Sequence, residues 1–279
     1  MRARRRFGRA AFFAAIVVAA LALVLALRRG PRRAGGSLSR TPAGGAAPLE
    51  GEARTSPGEE GGLPAKAVIE DARRYGVRVW SFGLDRYELR IEDAGMTTAL
   101  DAVLVRTGAE LVVNGGFFDP EGRPVGLAIS SGVVLSRLGK NLSGGVLASD
   151  GARAALFAAE GFVMPDGGTF AVQFRPRLVV DGRANVKSDD GKRAERTALC
   201  TRDSGRTVDV VVVRGSDDGE SPGPSLFALA THLADAGCES ALNLDGGPST
   251  GIAWREGNDV KLLAPRGPIR HVVALYARR

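Results

Sequence analysis

The chain is poor in the residues that build metal and redox sites. Its 279 residues include only two histidines, His232 and His271, and two cysteines, Cys200 and Cys238. No C-x-x-C pair and no His/Cys cluster of zinc spacing can be assembled from them, which excludes a structural zinc site. No EF-hand-like loop is present either, so a divalent cation is conceivable but has no ligand pattern behind it, and no cofactor is expected. Aromatic residues are scarce at 6%, and acidic residues are absent from the first forty positions, which hold ten of the 38 Lys and Arg. The remaining 28 basic residues face 31 acidic ones, so the formal charge of +7 belongs to the N-terminus and the body of the chain is mildly acidic. Without a basic stripe interleaved with aromatics, nucleic acid is excluded as a partner.

What is present at the N-terminus is a targeting segment. A basic tail, residues 1–9, precedes an unbroken apolar run from Ala10 to Leu27, long enough to cross a bilayer as a helix. The run ends in Leu27-Arg28-Arg29 without the small-residue cleavage site of a secretory signal, so an uncleaved membrane anchor at residues 10–27 is expected. The Ala20-Leu21-Ala22 step keeps a cleaved signal peptide as the alternative. Five Arg precede the run and four follow it closely, so the orientation is read from the long C-terminal part, which is expected to be exported, periplasmic or extracellular. Residues 28–64 are Gly, Ala, Pro, Ser, Arg and Glu with almost no large apolar side chain, the composition of a flexible linker. In an exported domain Cys200 and Cys238 have one pairing open to them; two buried free thiols are the other reading.

Residues 65–279 form the expected catalytic domain. Val77 to Ile91 alternates apolar and polar residues on either side of Gly83, the pattern of strands joined by a bend or hairpin. Thr97 to Thr107 reads as a helix and Glu110 to Asn114 as a buried strand. Short strands are expected at Val125–Ile129, Val133–Leu135, Arg177–Val180, Thr197–Cys200 and Val208–Val213. Ser225 to Ala236 is the clearest helix: Leu226, Leu229, Ala230 and Leu233 share one face, Ser225 caps its start and Gly237 ends it. It leads into a strand at Ser240–Leu244, and further strands follow at Ile252–Trp254, Val260–Leu263 and Val272–Tyr276. Many short, largely antiparallel strands with few helices indicate a single mixed α+β domain, not a doubly wound sheet.

Two stretches share one design: LVVNGGFFDPEG, Leu111 to Gly122, and ALNLDGGPSTG, Ala241 to Gly251. In each, an apolar strand ends in a polar residue and breaks into paired glycines. The pairs Gly115-Gly116 and Gly246-Gly247 allow positive φ and close approach of a ligand, while the strand ends fix polar groups at the rim of a sheet. Plain turns would use the same residues, but two loops of one build favour a shared pocket.

These motifs, NGGFF, then Arg196-Thr197-Ala198, then the helix running into ALNLDGGPST, then Arg270 before a closing strand, resemble in this order the phosphodiester glycosidase family. The resemblance runs from Val77 to the C-terminus. It implies hydrolysis at the anomeric carbon of a sugar 1-phosphodiester, with a glycan or sugar-phosphate substrate. Such cleavage passes through an oxocarbenium-like state served by carboxylates, while the phosphate leaving group reduces the need for a strong acid and raises the need for a cation. Asp245 is the first candidate for the essential carboxylate, with Asp119 as its partner and Asp181 or Glu195 as replacements. Arg196 and Arg270 are candidates for the phosphate clamp. Asn114 and Asn243 are placed to bond sugar hydroxyls, and Ser249 or Thr250 to do so or to hold phosphate. Cys200 stands where the family carries a small residue, and the segment from Asp181 to Arg196 is short and charged. Substrate choice within the family is therefore expected to differ, toward an envelope glycan, an exopolysaccharide or a wall polymer.

Gly247 to Gly251 also fits G-x-S-x-G, with Asp259 and His271 following Ser249 in serine-hydrolase order. That elbow needs a helix directly after it, and the residues from Ile252 read as a β-hairpin instead. A non-enzymatic carbohydrate-binding module of polysaccharide export is the remaining alternative.

Overall fold

Strict two-residue alternation sorts the apolar side chains of this domain between a central interior and three outer layers. The computed structural model describes residues 67–70, 73–140, 142–216 and 222–279. The basic tail, the apolar run and the linker expected before residue 65 lie outside the described residues. No helix among the described residues is long and apolar enough to cross a membrane. In chain order the elements are β1 (Ala67–Glu70), β2 (Arg73–Gly83), β3 (Tyr87–Thr97), α1 (Leu100–Thr107), β4 (Leu111–Asn114), β5 (Ala128–Ser130), β6 (Val133–Ser136), β7 (Gly145–Ser149), β8 (Ala154–Ala158), β9 (Phe170–Phe174), β10 (Arg177–Val180), β11 (Arg183–Ala184), β12 (Arg196–Arg202), β13 (Thr207–Arg214), α2 (Leu226–Asp235), β14 (Ser240–Asn243), β15 (Ile252–Glu256), β16 (Asp259–Leu263) and β17 (Ile269–Ala277).

The strands form three sheets in a single domain. The first runs β1-β2-β13-β12-β14-β10-β11, the second β16-β15-β4-β17-β3 and the third β6-β5-β9-β7-β8. All named pairings are antiparallel. Val208, Val210 and Val212 of β13, Val273 and Leu275 of β17, and Phe170, Val172 and Phe174 of β9 meet in one interior between the sheets. The residues between them point the other way. Val211 and Val213 lie under α2, Val272 and Ala274 under α1, and Ala171 in an outer cluster of the third sheet. Both faces of these strands are thus buried, which is why their sequences read as continuous apolar runs.

The α2 expectation holds in detail. Ser225 Oγ accepts from Ala228 N, Leu229, Ala230 and Leu233 are buried, and Gly237 takes a left-handed φ of 90° just after the helix. Cys200 of β12 and Cys238 after α2 are joined in a disulfide within this layer. Of the bend or hairpin expected at Gly83, the structure has the bend: β2 pairs with β13 in the first sheet and β3 with β17 in the second, so residues 84–86 carry the chain from one sheet to another. Two expectations need correction. The first helix begins at Leu100, because Thr97 still pairs with Ile269 at the end of β3 and its Oγ1 accepts from Ala99 N. The strand expected at Val125–Ile129 starts at Ala128, since Gly126 has φ 93° and interrupts extended pairing.

Candidate functional site

The two similar loops meet. Asn114 closes β4 in the second sheet and Asn243 closes β14 in the first, and the chains leaving them are laced together. Asn114 is fully buried. Its Nδ2 donates to Asp245 O at 2.8 Å, and its Oδ1 accepts from Thr197 Oγ1 at 2.7 Å and Gly251 N at 3.2 Å. Asp245 N in turn donates to Gly115 O at 3.3 Å. One amide therefore ties the start and end of the 245–251 loop to β4 and β12, placing Asn114 as the bracket beneath the site.

The glycine pairs serve packing more than left-handed backbone. Of the four, only Gly247 has positive φ, at 58°. A Cβ on Gly115 would lie 2.7 Å from His271 Cδ2, and one on Gly116 2.7 Å from His271 Nε2 and from the Phe174 ring. A Cβ on Gly246 would lie 2.8 Å from Glu195 O and 3.8 Å from Arg196 Cδ. The room these glycines leave is filled by the protein itself at Gly115, Gly116 and Gly246; only at Gly247 is the space open. Gly247 N also donates to Glu195 O at 2.8 Å, so the loop is pinned to the residue just before β12.

Asp245 stands two residues beyond β14, half-buried. Burial pushes its carboxyl above the ordinary value of 3.8, against a hydrogen bond from Ser249 and one from Gly246 N that favour the anion. Burial alone would favour the protonated carboxyl; it is the hydrogen bonds from Ser249 and Gly246 N that favour the anion, the form able to attack or stabilise a developing cation. Ser249 lies in a short 3-10 turn, Gly247–Ser249, and spends its hydroxyl on Asp245. Thr250 is fully buried and its Oγ1 has no hydrogen-bond partner.

Beside this loop opens a cleft of about 870 Å³ whose walls include Phe117, Arg175, Arg177, Lys192, Arg196 and Asn243. Asp245 is not part of that lining. Its neighbours do line the cleft: Asn243, two residues earlier, and Arg196, whose stem passes Gly246. Arg196 Nε donates to Pro224 O and its Nη2 to Lys192 O, which holds the guanidinium along the wall. Asn243 is 6% exposed, and its Nδ2 donates to Arg175 O at 3.0 Å and Leu244 O at 2.7 Å. Two carbonyls accept only from the NH₂ group, so the amide orientation is fixed, and the buried Oδ1 is left without a partner.

The other expected residues are placed elsewhere. Asp119 accepts from Arg123 N at 2.8 Å and Arg123 Nε at 2.7 Å; the Arg123 backbone bond leads in holding its pKa below the ordinary value. It shapes its own turn. Arg270 Nε donates to Gly122 O at 2.7 Å and its Nη1 pairs with Asp93, so it anchors the same turn and does not line the cleft. Asp181 is an exposed turn residue with φ 50°. Glu195 is 3% exposed and bonded to Arg214 at 3.2 Å, Arg266 at 3.0 Å and Gly215 N at 3.2 Å, buried behind the loop it supports. Arg175, Arg177, Lys192 and Arg193 went unrecognised in the sequence. The only signal for them was the density of basic residues in FRPR and GKRAER.

The serine-hydrolase geometry is not assembled. A β-hairpin, β15 and β16, follows Ser249 where an elbow requires a helix, and Asp259 pairs with Lys261 at the hairpin's exposed end. His271 Nε2 accepts from Gly116 N at 2.8 Å and is thereby occupied. No group of three or more His, Cys, Asp or Glu that could hold a metal occurs among the described residues.

Residues 107–274 match the family model described as phosphodiester glycosidase. No curated protein matches the sequence. Similar solved structures include a protein of Synechocystis (TM-score 0.58, 16% identity), of which the match spans 61%, less than two thirds, and 76% of this chain. Another is the zebrafish N-acetylglucosamine-1-phosphodiester alpha-N-acetylglucosaminidase catalytic domain, auto-inhibited by its pro-peptide (TM-score 0.57, 18% identity, 76% of this chain and 81% of that one). A protein of Burkholderia pseudomallei gives a TM-score of 0.55 at 16% identity, covering 75% of each chain. At these identities the likeness is one of fold.

Proposed function

The chain belongs to the phosphodiester glycosidase family, and from that premise we propose that it hydrolyses a sugar 1-phosphodiester, or a related glycan linkage, in an envelope or exopolysaccharide polymer. The reading is carried by one observation: a half-buried carboxyl, Asp245, held by Gly246 N and Ser249 two residues beyond Asn243, which lines a cleft together with Arg196. Asp245 acts at the anomeric carbon, stabilising or attacking it as the glycosidic bond breaks. Arg196 receives the phosphate that leaves, whose low basicity makes a strong general acid unnecessary. Asn243 lines the cleft and meets a sugar hydroxyl there. Asn114 orients Asp245 without touching substrate, and Asp119 and Arg270 hold the neighbouring turn. The apolar run at residues 10–27 anchors the protein, with the catalytic domain outside the cytoplasmic membrane.

The test is incubation of the purified protein with UDP-sugars and N-acetylglucosamine 1-phosphodiesters while following free reducing sugar. Wild type releases sugar, Ser249→Ala retains most of the rate, and Asp245→Asn loses about 100-fold or more in kcat with KM within a few-fold. Full activity in Asp245→Asn sinks the mechanism. Intact ligand recovered from a tight complex favours a carbohydrate-binding module instead.

A further inference from the structure

The cleft holds more cation than one diester requires. Resting on the glycosidase reading, in which Arg196 takes the scissile phosphate, its two basic stretches differ in how far they are neutralised. On the wall before β12, Arg193 forms a two-pronged pair with Asp189 at 2.9 and 3.1 Å, and Lys192 lies 3.6 Å from Asp190. Elsewhere in the lining, Arg175 and Arg177 flank the corner between β9 and β10, and neither has a carboxylate partner among the described residues. Glu160 also lines the cleft and forms no ion pair among the described residues.

These two arginines are seated by backbone. A Cβ on Gly144 would lie 2.7 Å from Arg175 Cβ, and one on Gly145 2.6 Å from Arg177 Cγ, so the glycine pair lets both stems pass close to β7. Asn185 Nδ2 donates to Arg177 O at 3.0 Å, and Asn243 Nδ2 to Arg175 O, fixing the corner from both sides. Two arginines on a braced corner, lining the same cleft as Asn243 and without a carboxylate of their own among the described residues, are arranged for an anion from outside.

We propose that Arg175 and Arg177 form a second anion subsite, so that the substrate is a glycan bearing a second oxyanion, a phosphate or a carboxylate, besides the diester that is cut. The anionic substituent binds across Arg175 and Arg177 while the scissile phosphate lies against Arg196, and the sugar between them meets Asn243.

The experiment measures calorimetric binding to the full-length Asp245→Asn protein and hydrolysis by wild type, using synthetic probes. The reference is N-acetylglucosamine 1-(methyl phosphate), with one charge. The others add a methyl phosphate at the sugar 6-hydroxyl, a carboxylate in place of that hydroxymethyl group, or a methyl phosphate on the leaving alcohol. At least one two-charge probe is expected to bind about tenfold more tightly than the reference, and which one identifies the anion and its side. Adding Arg175→Gln and Arg177→Gln removes that gain and leaves reference binding within about twofold, which also shows that the protein is folded. The Arg→Lys pair restores part of the gain, since it returns the charge without the guanidinium fork. Equal binding of all probes, or an equal loss for reference and two-charge probes in the glutamine variant, overturns the subsite. A preserved charge preference without hydrolysis of any probe overturns the glycosidase reading and leaves the subsite standing. No binding of any probe overturns both.

Discussion

Acid should destabilise this domain through His271 in a way that one substitution removes. The imidazole is 5% exposed on β17, and its Nε2 accepts from Gly116 N, so the ring must carry its proton on Nδ1 and remain neutral. Burial, followed by the Arg270 charge, lowers its pKa from 6.5 to about 4. Between those values the unfolded chain binds a proton that the folded chain refuses. Stability is therefore complete above pH 6.5 and falls with pH until the folded imidazole itself titrates near pH 4. Across that window the loss is about 3 kcal/mol, at roughly 1.4 kcal/mol for each unit. Urea unfolding at about pH 7 and about pH 4.5, followed by fluorescence of the Trp80–Trp254 pair (ring centroids 5.0 Å apart), measures it. His271→Gln keeps an acceptor for Gly116 N but cannot titrate, so wild type should lose about 2 to 3 kcal/mol more than the variant on acidification. The raised pKa of Asp245 works with opposite sign, since the folded state then binds the extra proton, but it is common to both proteins and cancels in the difference. If the two proteins change in parallel, to within about 0.5 kcal/mol, the neutral buried histidine is the wrong account.

Two further outcomes follow from the bracket and the staple. Asn114→Ala leaves Thr197 Oγ1, Gly251 N and Asp245 O short of a partner, and should cost about 3 kcal/mol in urea unfolding while lowering kcat through misplacement of Asp245. Reduction of Cys200–Cys238, or the paired Cys→Ser change, opens a loop with a sequence separation of 38 and should cost about 3 to 4 kcal/mol, read as a drop in melting temperature with activity retained below it.

What could be read from the sequence is what local chemistry decides. The α2 helix has its own apolar face, cap and stop, so its limits needed no partner. The convergence of NGG and DGG was legible because each polar residue ends an apolar strand, and strand ends gather at sheet rims. In the third sheet β5 and β6 were expected, but β7, β8 and β9 were missed. GVLAS and FAVQF are buried along their whole length, so they carry no alternation, and the Ala and Ser within them have little strand preference. The choice between a bend and a hairpin around Gly83 stayed open for a related reason: alternation shows that two strands exist but not which neighbours they choose. Likewise, Arg270 and Arg196 look equally suited to phosphate in the sequence. Only tertiary pairing separates them, since Asp93 and Gly122 O claim Arg270 while Arg196 lies along the cleft.

The Asn114 bracket has a consequence for how the site can diversify. Asp245 hangs from an amide buried between two sheets, whereas the segment carrying Lys192 and Arg193 is an exposed connection that secures its own charges with Asp189 and Asp190. Under the proposed reading, reaction chemistry is thus bolted to the frame, and part of the substrate-reading wall is a detachable fitting. Exchanging residues 185–193 among relatives should retune which polymer is accepted while the bond-breaking apparatus stays as it was.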